Sequence, residues 1–165
     1  MSDDEQRTID VIDSLRPKGS FEPARIGLTE IAASLAEKIS RSIPGGKPWK
    51  FNTTSGFAKT LQRGSVCDGL PGGIALKPAA DPVVFDPPFS ADEFRVAVDV
   101  IRGVAAEFCA TEESSLFNDD AEREYLFSGT GYTFRILQMK VAVVTVSGDC
   151  HLLQRVLDLP PGRLP

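Results

Sequence analysis

The chain has 165 residues, 42% hydrophobic and 25% charged, an ordinary balance for a globular protein with one core. Its net charge of −5, from 18 basic and 23 acidic residues with no basic cluster, argues against nucleic acid or an anionic membrane surface as the main partner. No stretch approaches the roughly 18 apolar residues of a membrane span. The opening Met-Ser-Asp-Asp-Glu-Gln-Arg is acidic, unlike the basic start and apolar run of a secretory signal.

Residues 1–19 are polar and read as a lead-in, with a turn or two of helix over Ile9–Leu15. Ala24, Leu28, Ile31, Leu35 and Ile39 then recur at helical spacing. Ser20 is placed to cap this helix, Pro23 suits its first turn, and Pro44-Gly45-Gly46 stops it near Ile43. Trp49–Thr53 alternates as a strand with one buried face, and short strands are expected at Val66-Cys67 and Val83–Phe85. Residues 54–82, broken by glycine and proline, are otherwise the least legible. Ser90-Ala91-Asp92-Glu93 is a capping box that opens a second helix over about 90–109, with Phe94, Ala97, Val98, Ile101, Ala105 and Phe108 on its apolar face. Strands follow at Ser115–Phe117, Tyr125–Phe127, Tyr132–Leu137 and Val141–Val146, and Gly148-Asp149 suggests a hairpin into Cys150–Leu153. The pattern predicts an α+β two-layer sandwich, with two main helices packed on one face of a mostly antiparallel sheet. A single domain over 20–158 is expected, followed by a proline-rich tail at 159–165.

Three cysteines carry most of the remaining information. With His151, Cys67, Cys109 and Cys150 make a Cys₃His inventory, but the cysteines lie roughly forty residues apart. Structural zinc sites bring ligands in close pairs, and Cys150 and His151, being adjacent, point to opposite faces of a strand. As the one imidazole, His151 must be the base of any cysteine hydrolase, with loop-borne Cys67 the better nucleophile. A bond between Cys67 and Cys150 is the third reading, and spacing alone does not choose among them. Gly69–Gly73 lacks the lysine and hydroxyl that complete a phosphate loop, and the acidic run Asp119–Glu122 lacks the spacing of a calcium loop.

Glu113–Asn118, Gly131–Gln138, Gly148-Asp149-Cys150 and Val156–Pro160, with Lys18-Gly19-Ser20 and Trp49-Lys50-Phe51, resemble the LppA-type mycobacterial lipoproteins. The likeness runs from about Ile9 to Pro165. It implies a lipid-anchored cell-envelope protein whose α+β domain carries a disulfide between the residues matching Cys67 and Cys150. The signal peptide and lipobox cysteine of the family are not in this chain, so the membrane is reached only through an anchor outside it. Cys109 stands where the family usually has glycine and reads as a free, buried thiol. The resemblance brings no catalytic residue, cofactor or metal.

The expected function is therefore a monomeric, non-catalytic binding or interaction domain for a small molecule or an envelope protein. A small hydrolase using Cys67 and His151, and a purely structural role in envelope assembly, are the alternatives.

Overall fold

A computed structural model describes residues 2–165. The fold is α+β. Strands β1 (Trp49–Phe51), β4 (Val83–Phe85), β5 (Glu112–Ser114), β6 (Arg123–Gly129), β7 (Tyr132–Gln138) and β8 (Ala142–Gly148) form a six-stranded sheet in the order β1-β4-β8-β7-β6-β5. Every neighbouring pair in it is antiparallel. Helices α2 (Phe21–Ser42) and α4 (Ala91–Glu107) cover one face. Their buried residues, Leu28, Leu35 and Ile39 from α2 and Ala97, Ile101 and Ala105 from α4, meet Phe127, Phe134, Ile136, Val144 and Val146 from alternate strand positions. The α4 capping box forms as its sequence predicts, with Ser90 Oγ accepting from Glu93 N and Glu93 Oε1 from Ser90 N.

A second, smaller core lies beside the first. Strands β2 (Ser65–Val66), β3 (Ala75–Lys77) and β9 (His151–Leu152) form a three-stranded antiparallel sheet. It packs with α1 (Asp3–Leu15) and the short α5 (Gln154–Leu157) around Ile12, Cys67, Leu70, Ala75, Leu152 and Val156.

Four local expectations need correction. The lead-in is a 13-residue helix rather than a turn or two, because Ser2 caps it, three acids sit in its first turn, and Ile9 and Ile12 find a core to enter. Gly148-Asp149 is not a hairpin. Beyond it the chain leaves the large sheet, and His151 and Leu152 pair with Leu76 and Ala75 in the small one, where Leu152 is fully buried. The edge strand is Glu112–Ser114 rather than Ser115–Phe117; Leu116 and Phe117 lie in an exposed bend. The illegible stretch holds helix α3 (Gly56–Arg63), capped by the Ser55 hydroxyl on Ala58 N.

The proline-rich tail is held against α1. The Arg16 guanidinium donates to the carbonyls of Leu157, Leu159 and Pro160, and Gly162 N donates to the Asp13 carboxylate. The same Arg16 pairs with Asp13 and holds its carboxyl below the usual carboxylate range.

Candidate functional site: disulfide and groove

Cys67, in the turn after β2, and Cys150, just before β9, are bonded, their Cα atoms 5.9 Å apart across a sequence separation of 83. The bond joins two segments that share the small core. Closing a loop of that length contributes about 4.5 kcal/mol in the chain-entropy picture. It also decides two of the open chemical readings. A sulfur in a disulfide supplies no thiolate, so Cys67 is no nucleophile for His151, and neither Cys67 nor Cys150 is free to ligate zinc. The Nδ1 of His151 faces the Asp149 carbonyl at 2.9 Å.

Cys109 is a correction. It is exposed, not buried, because α4 has already ended when the chain reaches it. Cys109 N donates to Ala106 O and Ala110 N to Ala105 O, which is the Schellman closure of a helix C-terminus. That closure needs a left-handed residue, and Cys109 supplies it at φ 60°.

An open groove of about 560 Å³ lies between the start of α2 and the β7–β8 end of the large sheet. Ser20, Ala24, Gly27, Leu28 and Ile31 form one wall, and Gly131, Tyr132, Gly148, Asp149 and His151 the other. Lys18 bridges the rim, donating to Cys150 O at 2.8 Å and pairing with Asp149 at 2.6 Å. A second depression of about 260 Å³, between α2 and α4, shares Gly27 and Ile31 with the first and is rimmed by Glu30, Lys38 and Glu107. Gly27 is thus a saddle joining the two. A Cβ added there would meet nothing within 4 Å.

Ser20 is the odd member of this lining. It occupies the N-cap position of α2 with extended backbone, yet its hydroxyl makes no capping bond. An N-cap oxygen accepts from the second or third helical N–H, and the third residue here is Pro23, which has none. The residue is only 4% exposed. Among the described residues no completely buried side-chain N or O lacks a partner, so the Ser20 oxygen keeps its contact with the groove.

Other polar clusters satisfy themselves. Arg102 of α4 stacks on Tyr125 and Phe127 and pairs with Asp99 and Glu113. Its bonds hold the Glu113 carboxyl below its ordinary value, while the Glu113 bond and burial raise the Tyr125 phenol. In the acidic turn Asp119 accepts from Ala121 N and Glu122 N, and Asp120 pairs with Arg123. The Gly73 carbonyl in the glycine-rich loop accepts from Arg155.

A disulfide-braced α+β domain of this size belongs with proteins that work outside the reducing cytosol. Comparison with known proteins gives that class its family: the chain belongs to the LppA family, described as lipoproteins confined to pathogenic Mycobacterium, which matches residues 2–154. It is 46% identical to lipoprotein LppA of Mycobacterium tuberculosis H37Rv over 160 residues, covering 97% of this chain and 73% of that protein. It is equally similar to lipoprotein LppB of the same strain, with 97% and 72% covered. The crystal structure of LppA from M. tuberculosis matches at a TM-score of 0.92 and 46% identity, over 97% of this chain and 94% of that one. Membership in a lipoprotein family implies a membrane-anchored place in the cell envelope.

Proposed function

We propose that this is a non-catalytic binding domain of the cell envelope and that its ligand seat is the two-part groove along α2. The observation that carries this reading is Ser20, a residue 4% exposed whose hydroxyl makes no capping bond and opens onto the groove. A polar group left without an internal partner at a concave site is where a ligand finds its hydrogen bond. The groove walls combine apolar side chains from α2 with polar groups from the β7–β8 end, the mixture that gives a small-molecule site both affinity and orientation.

The reading is tested by recording amide spectra of the isotope-labelled domain against a library of small fragments. Responses should cluster at Ser20, Gly27, Gly131 and Gly148, and Gly27→Phe, which fills the saddle, should abolish them while the rest of the spectrum is kept. Responses scattered over the surface, or unchanged in Gly27→Phe, would refute it.

A further inference from the structure

We infer that the ligand of this groove is a linear oligosaccharide, uncharged where it lies in the larger depression, a step that rests on the groove being the seat proposed above. The first ground is charge. The one cation and the one anion on the rim of the larger depression, Lys18 and Asp149, are already paired at 2.6 Å, and the Cys150 carbonyl also accepts from Lys18. An anionic ligand would have to draw Lys18 from both partners, and a cationic one would have to displace it from Asp149. In that depression neither finds a free countercharge; the charged groups of the second, Glu30, Lys38 and Glu107, lie beyond Gly27.

The second ground is what remains unpaired. The hydroxyls of Ser20, Thr130 and Tyr132 all line the groove; Ser20 makes no capping bond, Thr130 is exposed and Tyr132 half-buried, so all three are open to a ligand. The Nδ1 of His151 faces a carbonyl, which only accepts, so in the neutral imidazole Nδ1 carries the proton and Nε2 is left as an acceptor. Neutral hydroxyls that both donate and accept, with one imidazole acceptor among them, match ligand hydroxyls.

The third ground is the apolar complement and the shape. Ile31 and the half-buried Tyr132 ring offer surface to the C–H faces that alternate with the hydroxyls of a sugar ring. A fatty chain would leave the polar groups of both walls without partners. The larger depression lies within the roughly 300–1,000 Å³ of small-molecule sites. Its continuation across Gly27 into the second depression suits a chain of linked units better than a single compact one.

The experiment titrates the isotope-labelled domain with maltotetraose, cellotetraose and mannotetraose, and separately with dodecyl phosphate and spermidine. At least one tetrasaccharide should give saturable shifts at Gly27, Thr130, Gly131 and Gly148, with an affinity that does not change with salt, as befits an uncharged ligand. Gly27→Phe should weaken it at least about tenfold, and Tyr132→Phe, which removes only a hydroxyl, a few-fold. The added side chain at position 27 meets no protein atom at its Cβ and improves helix propensity, so the fold is kept; Gly27→Ala, still better suited to a helix, serves as the control. If the charged or fatty probes shift these residues and no saccharide does, the saccharide assignment is overturned and the groove stands. If no probe of any class shifts them, both fall.

Discussion

Gln138, at the end of β7, is 7% exposed and clips the large sheet to the segment that leads into α4. Its Oε1 accepts from Phe89 N and its Nε2 donates to Phe89 O, both at 2.8 Å, so one side chain completes a buried backbone pair as a neighbouring strand would. Gln138→Leu keeps the volume and removes both bonds. Two buried backbone groups then lack partners, each at a cost of about 1–3 kcal/mol, while the added apolar burial returns about 1 kcal/mol. The expected net loss is about 1–5 kcal/mol, or roughly 2–20 °C in Tm for a chain of this length. Urea unfolding followed by Trp49, the only tryptophan, measures it. Gln138→Glu adds a control that ordinary packing loss does not mimic. An ionised carboxylate can accept from Phe89 N but meets the Phe89 carbonyl lone pairs, whereas the protonated acid donates to that carbonyl. The folded pKa of Glu at 138 is therefore raised. Its stabilising contribution is present below the unfolded glutamate value and is lost as pH rises through the folded one. Relative to the parent chain, the variant should be nearly as stable in acid and progressively weaker towards neutrality. A Gln138→Leu chain within about 0.5 kcal/mol of the parent, or a Gln138→Glu deficit that ignores pH, would refute the clip.

Thiol titration of the unfolded, unreduced protein should find one thiol, Cys109; three would overturn the disulfide and with it the exclusion of Cys67 as nucleophile. Removing the bond as Cys67→Ser/Cys150→Ser should cost about 2–5 kcal/mol in chemical denaturation, with amide exchange rising first in α1, β3 and β9 around the small core. Cys109→Gly should raise Tm by a few degrees, since it relieves about 1 kcal/mol of left-handed strain, and Cys109→Ala should not. Glu93 is held below the ordinary glutamate value of 4.5, first by the Ser90 N–H and then by Lys47. Its contribution is present above that value and lost as pH falls below it, so Glu93→Gln should flatten the acid limb of the stability curve; an unchanged limb would remove the capping box as its cause.

The large sheet and its two helices are legible in the chain because each repeats a period long enough to be read. Phe94, Ala97, Val98, Ile101 and Ala105 leave no doubt about a helix face, and Phe134, Ile136, Val144 and Val146 alternate as strands with one side on a core. The small layer is legible only as fragments: the short strands expected at Val66-Cys67 and Cys150–Leu153 overlap β2 and β9, but β3 and the pairing of the three are not legible, for a physical reason. β2 and β9 are two residues long and β3 three, too short to show alternation, and they are held by pairing partners distant in sequence and by a covalent bond rather than by local preference. The same shortage of context made Gly148-Asp149 look like a hairpin. A glycine followed by an acid before an apolar run is a turn signal, but it says nothing of which sheet receives the next strand. Cys109 failed differently. Residue type placed it with the buried thiols, whereas backbone geometry at the end of α4 placed it outside.

The groove was missed because its signs look like ordinary helix grammar when read singly. A serine before a helix is a cap, a proline in the first turn is tolerated, and a glycine in mid-helix is a small cost. Taken together along α2 they mean something else. Pro23 removes the N–H that Ser20 would have capped, so the serine hydroxyl is left over. Seven residues past Ser20, Gly27 gives up helix propensity worth about 1 kcal/mol at a point where a Cβ would touch nothing, so no packing demand explains it. Both departures open onto the same concavity, which is what the binding reading proposed above asks of them. Gly27→Ala should stabilise the domain by up to about 1 kcal/mol in urea unfolding, and a loss of stability would mean that packing, not an open face, holds the glycine there.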